Sequence, residues 1–375
     1  MAIVRVQLPH VGEEEFPAFH KHVSPPTFNG GPLDRVEPTR RIGRKLAVNI
    51  DAVFPNGEKL KRWALEDTED KSDSARTFPS KLIRTVEGDV VHASTQVSVN
   101  THTIHWHGIE PSPVNDGVGK TSFEVSGNFV YQFATSHPGT FFYHCHKNTP
   151  LHFELGLYGA FIVDPKKPNT AEAAGIEGPP CKTGGPGFCS AYNPPTNVRK
   201  YDVEVLWAVD EIQSNWFDLN HDAFMQKDNP KDPIGAANFT HDGILNNFQP
   251  DVFTISGFLR KKNDTTPFNE VAANVKVDQT LLMRVISAGY TVQEYRIGLP
   301  TEVTSMDGYA LGVSSSSYSK PFKLAANQPF RLTSAMRWEL IAMPTQPGQF
   351  PVECRIMDWI TLKELYVART FINVT

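Results

Sequence analysis

Two distant stretches of the chain read as versions of one unit. "GTFFYHCHKNTP…GLYGAFIV" (139–163) and "GQFPVECRIMDW…ELYVARTFINV" (348–374) each open on a Gly turn and run through aromatic residues to a central Cys. Each then closes on a strand that begins Leu-Tyr. They sit at matching places, one at the end of each half, which points to an internal domain duplication. A chain of 375 residues is also long for a single core. In the first half the text is strand-like, β-branched and alternating, over 44–54, over 81–109 with "EGD" as a turn, and over 128–146 as a strand pair turned at His137-Pro138-Gly139. The run 157–165 reads as a buried strand. Residues 199–212, 277–289, 296–308 and 329–343 supply strand candidates in the second half. These readings predict an all-β chain with an irregular arm over 1–40, a first domain over 41–165, a Pro/Gly-rich linker over 166–199 and a second domain over 200–375.

Composition narrows the function classes. The 29 prolines, 26 glycines and 24 phenylalanines favour many short strands joined by turns. A formal net charge of −5 with interspersed signs leaves no basic footprint, so no nucleic-acid partner is expected. No apolar run reaches the roughly 20 residues needed to span a bilayer. "MAIVRVQLPHVGEEEF" lacks the apolar core of a signal peptide. Cys181 and Cys189 lie in the Pro/Gly-rich "GPPCKTGGPGFCSAY" and are expected to form a disulfide, which implies an oxidising compartment. Either the protein is cytoplasmic or this is a mature form restarted at Met1, and the expectation is a periplasmic or secreted one. Cys354 reads as a buried strand cysteine.

Six of the thirteen histidines fall in "THTIHWHG" (101–108) and "YHCHKNTPLH" (143–152). Side chains of a strand alternate faces. An extended 102–107 puts His105 and His107 on one face, with His102 and Trp106 on the other. An extended 143–146 likewise separates His144 and His146 from Cys145. Two sets emerge: His105, His107, His144 and His146 form an imidazole patch, while His102 faces Cys145. His152, seven residues after the cysteine, completes a His₂Cys set, the ligand choice of a blue-copper electron-transfer site. Leu157 occupies the candidate axial position, where it cannot coordinate. Zinc also accepts Cys and His, but it leaves the four-histidine set unexplained.

"THTIHWHGIEPSPVNDGV", "VEGDVV" and "GTFFYHCH…LHFELGLYGAFIV" resemble the copper motifs of multicopper oxidases. The resemblance covers most of residues 80–165 and implies two cupredoxin-like Greek-key domains with copper as cofactor. It implies that His102, Cys145 and His152 bind type 1 copper, His105 type 2 copper, and His107, His144 and His146 type 3 copper. His144-Cys145-His146 would then be the electron path between the two sites, and Asp116 a proton relay. Trp106 reads as packing. The implied partners are a small-molecule or protein electron donor and dioxygen, and the family's two-domain members imply a homotrimer.

The second half departs from that pattern. Where the first has His144-Cys145-His146, it reads Glu353-Cys354-Arg355, and the counterpart of the histidine strand falls near "EYRIGLP" (294–300), which has no histidine. His221 and His241 stand apart from any paired motif. His20 and His22, in the N-terminal arm, or a partner chain are the remaining sources of ligands. The leading expectation is a two-domain, laccase-like copper oxidase. The alternatives are a nitrite-reductase-like two-copper enzyme and a non-catalytic blue-copper electron carrier or copper-binding subunit.

Overall fold

The computed structural model describes residues 37–119, 121–166, 187–190, 198–219, 247–311 and 320–375. The first half forms eight strands: β1 (Arg40–Val53), β2 (Lys59–Asp67), β3 (Ser80–Val86), β4 (Val90–His102), β5 (His105–His107), β6 (Val125–Ala134), β7 (Gly139–His144) and β8 (Tyr158–Asp164). They make two four-stranded sheets, in the orders β2-β1-β4-β6 and β3-β8-β7-β5. Strand β4 shows why the sequence alternates. Val91, Ala93, Thr95 and Val97 point into the sandwich, while His92, Ser94 and Gln96 point away. Strands β7 and β8 are buried along their whole length, so they read as continuous apolar runs instead.

A hairpin of β9 (Gly187–Ser190) and β10 (Val198–Tyr201) follows, inside the stretch expected to be linker. The expected Cys181–Cys189 bridge lies outside the described residues.

The second half begins with β11 (Val203–Ile212), β12 (Val252–Ile255), β13 (Phe258–Lys261), β14 (Ala273–Val275), β15 (Leu281–Ser287) and β16 (Val292–Ile297). It continues with β17 (Thr301–Met306), β18 (Tyr309–Ala310), β19 (Phe322–Leu324), β20 (Phe330–Leu332), β21 (Arg337–Ala342), β22 (Gly348–Met357) and β23 (Glu364–Val374). The order β14-β23-β22-β16 reproduces β3-β8-β7-β5, and β12-β11-β15-β21 reproduces β2-β1-β4-β6. Even the parallel pairs coincide: β1 with β4 and β11 with β15, then β3 with β8 and β14 with β23. The chain is all-β, two cupredoxin-like sandwiches of one topology.

Several readings of the sequence need correction. Residues 296–308 are not one strand: Arg296 and Ile297 end β16, and Thr301–Met306 form β17 in the other sheet. Residues 128–146 are not a paired hairpin: β6 pairs with β4, whereas β7 pairs with β8 and β5, so His137-Pro138-Gly139 carries the chain from one sheet to the other. Residues 329–343 are not one strand either. They break between β20 and β21, where Ala335 takes a φ of 71°, and the two pieces join different sheets.

The outer face of β7 and β8 packs on β11 and β15 through Phe142, Tyr158 and Ala160 against Ala208, Ile286 and Ala288. Beside this apolar seam lies a buried ionic one. Arg84 bonds Asp164 at 2.6 Å and Glu204 at 2.8 Å. Arg284 reaches Glu204 and Glu339, each at 2.5 Å, and Thr140 donates to Glu339 at 2.7 Å. Burial pushes the Glu339 carboxyl up, opposed by Arg284. For Glu204, burial acts upward, but Arg284 and Arg84 prevail and hold it below its ordinary value. Removing one partner of such a network leaves an uncompensated buried charge. Arg284→Met is therefore expected to cost about 3–5 kcal/mol of stability in chemical denaturation. Without the guanidinium the buried carboxyls bind protons more tightly when folded, so the deficit should shrink as the pH is lowered.

Candidate metal centre

The histidine-rich segment 101–108 is two strands, not the single extended one expected from its alternation. Strand β4 ends at His102 after a register slip that begins beyond Val97, with Asn100 at a φ of 56°. Thr103 and Ile104 then cross to the other sheet, where β5 starts at His105. Side chains satisfy the crossing. Ile104 N–H donates to Tyr131 Oη at 3.0 Å, and Thr103 Oγ1 accepts from His146 N–H at 3.0 Å. Similarly β7 stops at His144, leaving Cys145 and His146 beyond the strand. Cys145 N–H still donates to Leu157 O at 2.9 Å, which turns its thiol into the core. Asn148, at a φ of 46°, opens the short helix Thr149–Glu154 that carries His152.

These turns bring His102, Cys145 and His152 together. Cys145 Sγ lies 3.4 Å from His102 Nδ1 and 3.5 Å from His152 Nδ1. All three are buried, at 1%, 0% and 0% exposure, so no outer molecule can touch a ligand atom directly. Leu157 is buried in the same core cluster as Cys145, and its N–H donates to His152 O at 3.1 Å. Burial pushes the Cys145 thiol up to about 11, so it keeps its proton until a cation displaces it. The donor set fits a soft ion. Two nitrogens and a sulfur sharing a centre at about 2.0–2.3 Å in a trigonal plane would stand about 3.5–3.8 Å apart.

The second set lies on the opposite side of the His144-Cys145-His146 run. Ligand atoms of His105, His107 and His144 fall within 4.8 Å of one another, with His107 Nδ1 and His144 Nε2 at 3.4 Å. His146 joins at the edge, its ring 5.3 Å from His105 and 5.7 Å from His144. Backbone carbonyls orient two of the rings. His105 Nδ1 sits 2.8 Å from Asp116 O, and His144 Nδ1 sits 3.0 Å from Cys145 O, which leaves each Nε2 for an ion. Asp116 thus meets His105 through its carbonyl as well as its carboxylate, the latter at 3.1 Å. Burial, then Arg337, lowers His107 to about 2. Burial, then His105, lowers His144 to about 3. Both rings are neutral at pH 7, as metal binding requires.

Four neighbours of these sets carried no local signal in the sequence. Trp63 packs its ring 5.5 Å from His152 and 6.1 Å from His102. Phe142 stacks on His107 at 4.4 Å, and Thr103 holds His146 as described. Arg337, from the second domain, is buried beside His107 with its guanidinium tied to Ala335 O and Asp307 O. Only Phe142 and Thr103 adjoin a histidine motif.

The equivalent face of the second domain carries ion pairs. Glu294 bonds Arg296 at 3.0 Å and Arg331 at 2.9 Å, and Glu353 bonds Arg369 at 2.9 Å. Cys354 is buried opposite Tyr295, whose hydroxyl donates to Gln293 Oε1 at 2.7 Å. His20, His22, His221 and His241 lie outside the described residues. Among the described residues the two first-domain sets are the histidine clusters with ligand spacing.

Gly117 stabilises the loop that orients His105. It holds a φ of 71°, and a Cβ there would lie 1.9 Å from Ile104 O. Gly117→Ala is expected to lower stability by about 1–3 kcal/mol and to shift the His105 ring resonances, read by thermal denaturation and histidine NMR.

The multicopper oxidase family profile matches residues 68–168. Copper resistance protein A of Pseudomonas syringae pv. tomato is 38% identical over 95 residues, which is 24% of this chain and 15% of that protein. L-ascorbate oxidase of Cucurbita pepo var. melopepo is 38% identical over 95 residues, 24% of this chain and 17% of its own. The chain thus matches about a sixth of the length of these curated relatives. Among solved structures, the blue copper oxidase from Nitrosomonas europaea superposes with a TM-score of 0.60 at 21% identity, covering 89% of this chain and 86% of that one. The copper nitrite reductase from Nitrosomonas europaea gives 0.54 at 17%, covering 90% and 94%. Those two likenesses establish the fold. The segment bearing both histidine sets, residues 68–168, is thus similar to a domain of the multicopper oxidases.

Proposed function

We propose that this chain is a copper-dependent oxidoreductase that takes electrons from an outer donor and delivers them to dioxygen. One observation carries the reading: Cys145 belongs to a buried His₂Cys set while its covalent neighbours, His144 and His146, face a second histidine set. His102, Cys145 and His152 would hold type 1 copper, with Leu157 as an apolar, non-coordinating neighbour. His105, His107, His144 and His146 would hold type 2 and type 3 copper. When bound, copper supplies one-electron acceptance at the first set and dioxygen reduction at the second.

The protein's own part is to fix geometry and exclude water. The buried thiol and imidazoles keep the first set dry, and the Trp63 ring packs against both of its histidines. The donor is a small molecule such as a phenol, or a small electron-transfer protein. Asp116 fixes the His105 tautomer and, with its carboxylate 3.1 Å from that ring, is the candidate proton relay. A homotrimer would bring a neighbouring copy to the partly exposed histidines. A periplasmic or secreted location fits this chemistry, and no helix among the described residues is long and apolar enough to cross a membrane.

A nitrite-reductase-like enzyme is the second reading, favoured by the compact three-histidine group of His105, His107 and His144. A blue-copper carrier is the third.

Copper loading of variants separates them. Cys145→Ser is expected to abolish the intense visible thiolate-to-copper absorption while copper remains on the histidine set. His107→Ala is expected to keep that absorption and lose dioxygen uptake with a phenolic donor. A loaded wild-type protein that the donor reduces but that consumes neither dioxygen nor nitrite is a carrier. Nitrite turnover without dioxygen uptake makes it a reductase.

A further inference from the structure

A cavity of about 230 Å³ opens between the two domains, away from both histidine sets but sharing a wall with one of them. Its apolar lining comes from both sides: Leu82, Phe142 and Ala160 from the first domain, Leu206, Ala208 and Ile286 from the second. The volume has room for several waters, each of which takes roughly 30 Å³ of liquid and needs two to four polar partners. The hydroxyls around the cavity are already engaged. Ser80 Oγ accepts from Leu65 N–H at 2.8 Å, and Thr77 Oγ1 donates to Pro79 O at 2.9 Å. Tyr158 Oη donates to Asp210 at 2.7 Å. Ser256 Oγ donates to Leu206 O at 2.8 Å and accepts from Ala208 N–H at 3.1 Å. Lys81, a third exposed, turns its ammonium to Asp70 at 2.5 Å. A space this large whose polar neighbours are already bonded favours an uncharged occupant that forms no hydrogen bonds.

Phe142 gives the cavity a functional direction. The same ring that lines it stacks on His107 at 4.4 Å and on His144 at 5.2 Å. A molecule in the cavity is therefore separated from the second histidine set by one aromatic side chain. Dioxygen is small, apolar and partitions from water into apolar surroundings.

We propose that this inter-domain cavity binds small uncharged apolar molecules, and that it holds dioxygen one phenyl ring away from the His107/His144 face. The dioxygen half rests on the oxidase reading above, whereas the apolar site does not.

Xenon is the probe. Crystals of the full chain pressurised with xenon are expected to show an ordered atom among Leu82, Phe142 and Ile286, and a cavity without xenon overturns the proposal. Ala208→Leu, which fills the space from the second domain, is expected to lose the xenon atom. In the copper-loaded, pre-reduced protein it should also slow reoxidation by dioxygen several-fold, leaving anaerobic reduction by hydroquinone unchanged. Ala160→Leu fills the cavity from the other side and serves the same test if the first variant does not fold. Loss of xenon with unchanged reoxidation overturns the dioxygen role. If the wild-type protein consumes no dioxygen at all, the oxidase reading and the dioxygen role fall together, and the xenon result alone decides the apolar site.

Discussion

The pairing of β5 with β7 is the constraint on which everything else depends. Three rungs align His105 with His144, Trp106 with Tyr143 and His107 with Phe142. Alternation along these rungs sends Trp106 into the core and the histidines to the opposite face, and Cys145 follows one residue later on the core side. A strand of three residues has little ladder of its own, so packing must hold it. Trp106 is fully buried among Phe133, Tyr131, Tyr143 and Phe161, with ring separations of 4.9 to 6.1 Å. Truncating a buried Trp of this kind typically costs about 3–5 kcal/mol. The residue between the histidines is the anchor that makes both histidine faces possible.

The second domain keeps the strand order, and among its described residues the equivalent face carries no histidine cluster with ligand spacing. At the rung corresponding to His105 and His144, β16 and β22 carry Arg296 and Glu353, and two positions along they carry Glu294 and Arg355; these four form ion pairs among themselves and with Arg331 and Arg369. Cys354 remains in the core with Tyr295 and Gln293 where the first domain has imidazoles. What this domain gives instead is support. It seats Arg337 beside His107, covers the outer face of β7 and β8, and closes the buried Arg84–Asp164–Glu204–Arg284–Glu339 network.

Much of this was legible in the sequence because the relevant signals are local. The duplication was visible in two matched endings, and the partition of the histidines followed from period two even though its premise was too simple. The extended segment 102–107 does not exist. The grouping survives because β5 alone gives His105 and His107 their common face, and because the crossing at Thr103 and Ile104 leaves His102 on the core side. What the sequence could not reveal were sheet assignments and distant partners. A Pro-Gly turn at 138–139 looks the same whether it closes a hairpin or passes between sheets. Ala335, at a φ of 71°, breaks a strand without any glycine or proline to mark it. Trp63 and Arg337 reach the histidines from 39 positions before His102 and 230 after His107, distances over which no motif extends.

Anomalous diffraction at the copper edge, on crystals of the copper-loaded full chain, tests the central claim most directly. The account predicts one peak between His102, Cys145 and His152, further copper against His105, His107, His144 and His146, and none at the Glu294/Glu353 face of the second domain. Absence of copper from the Cys145 set, or copper on the second-domain face, would contradict it.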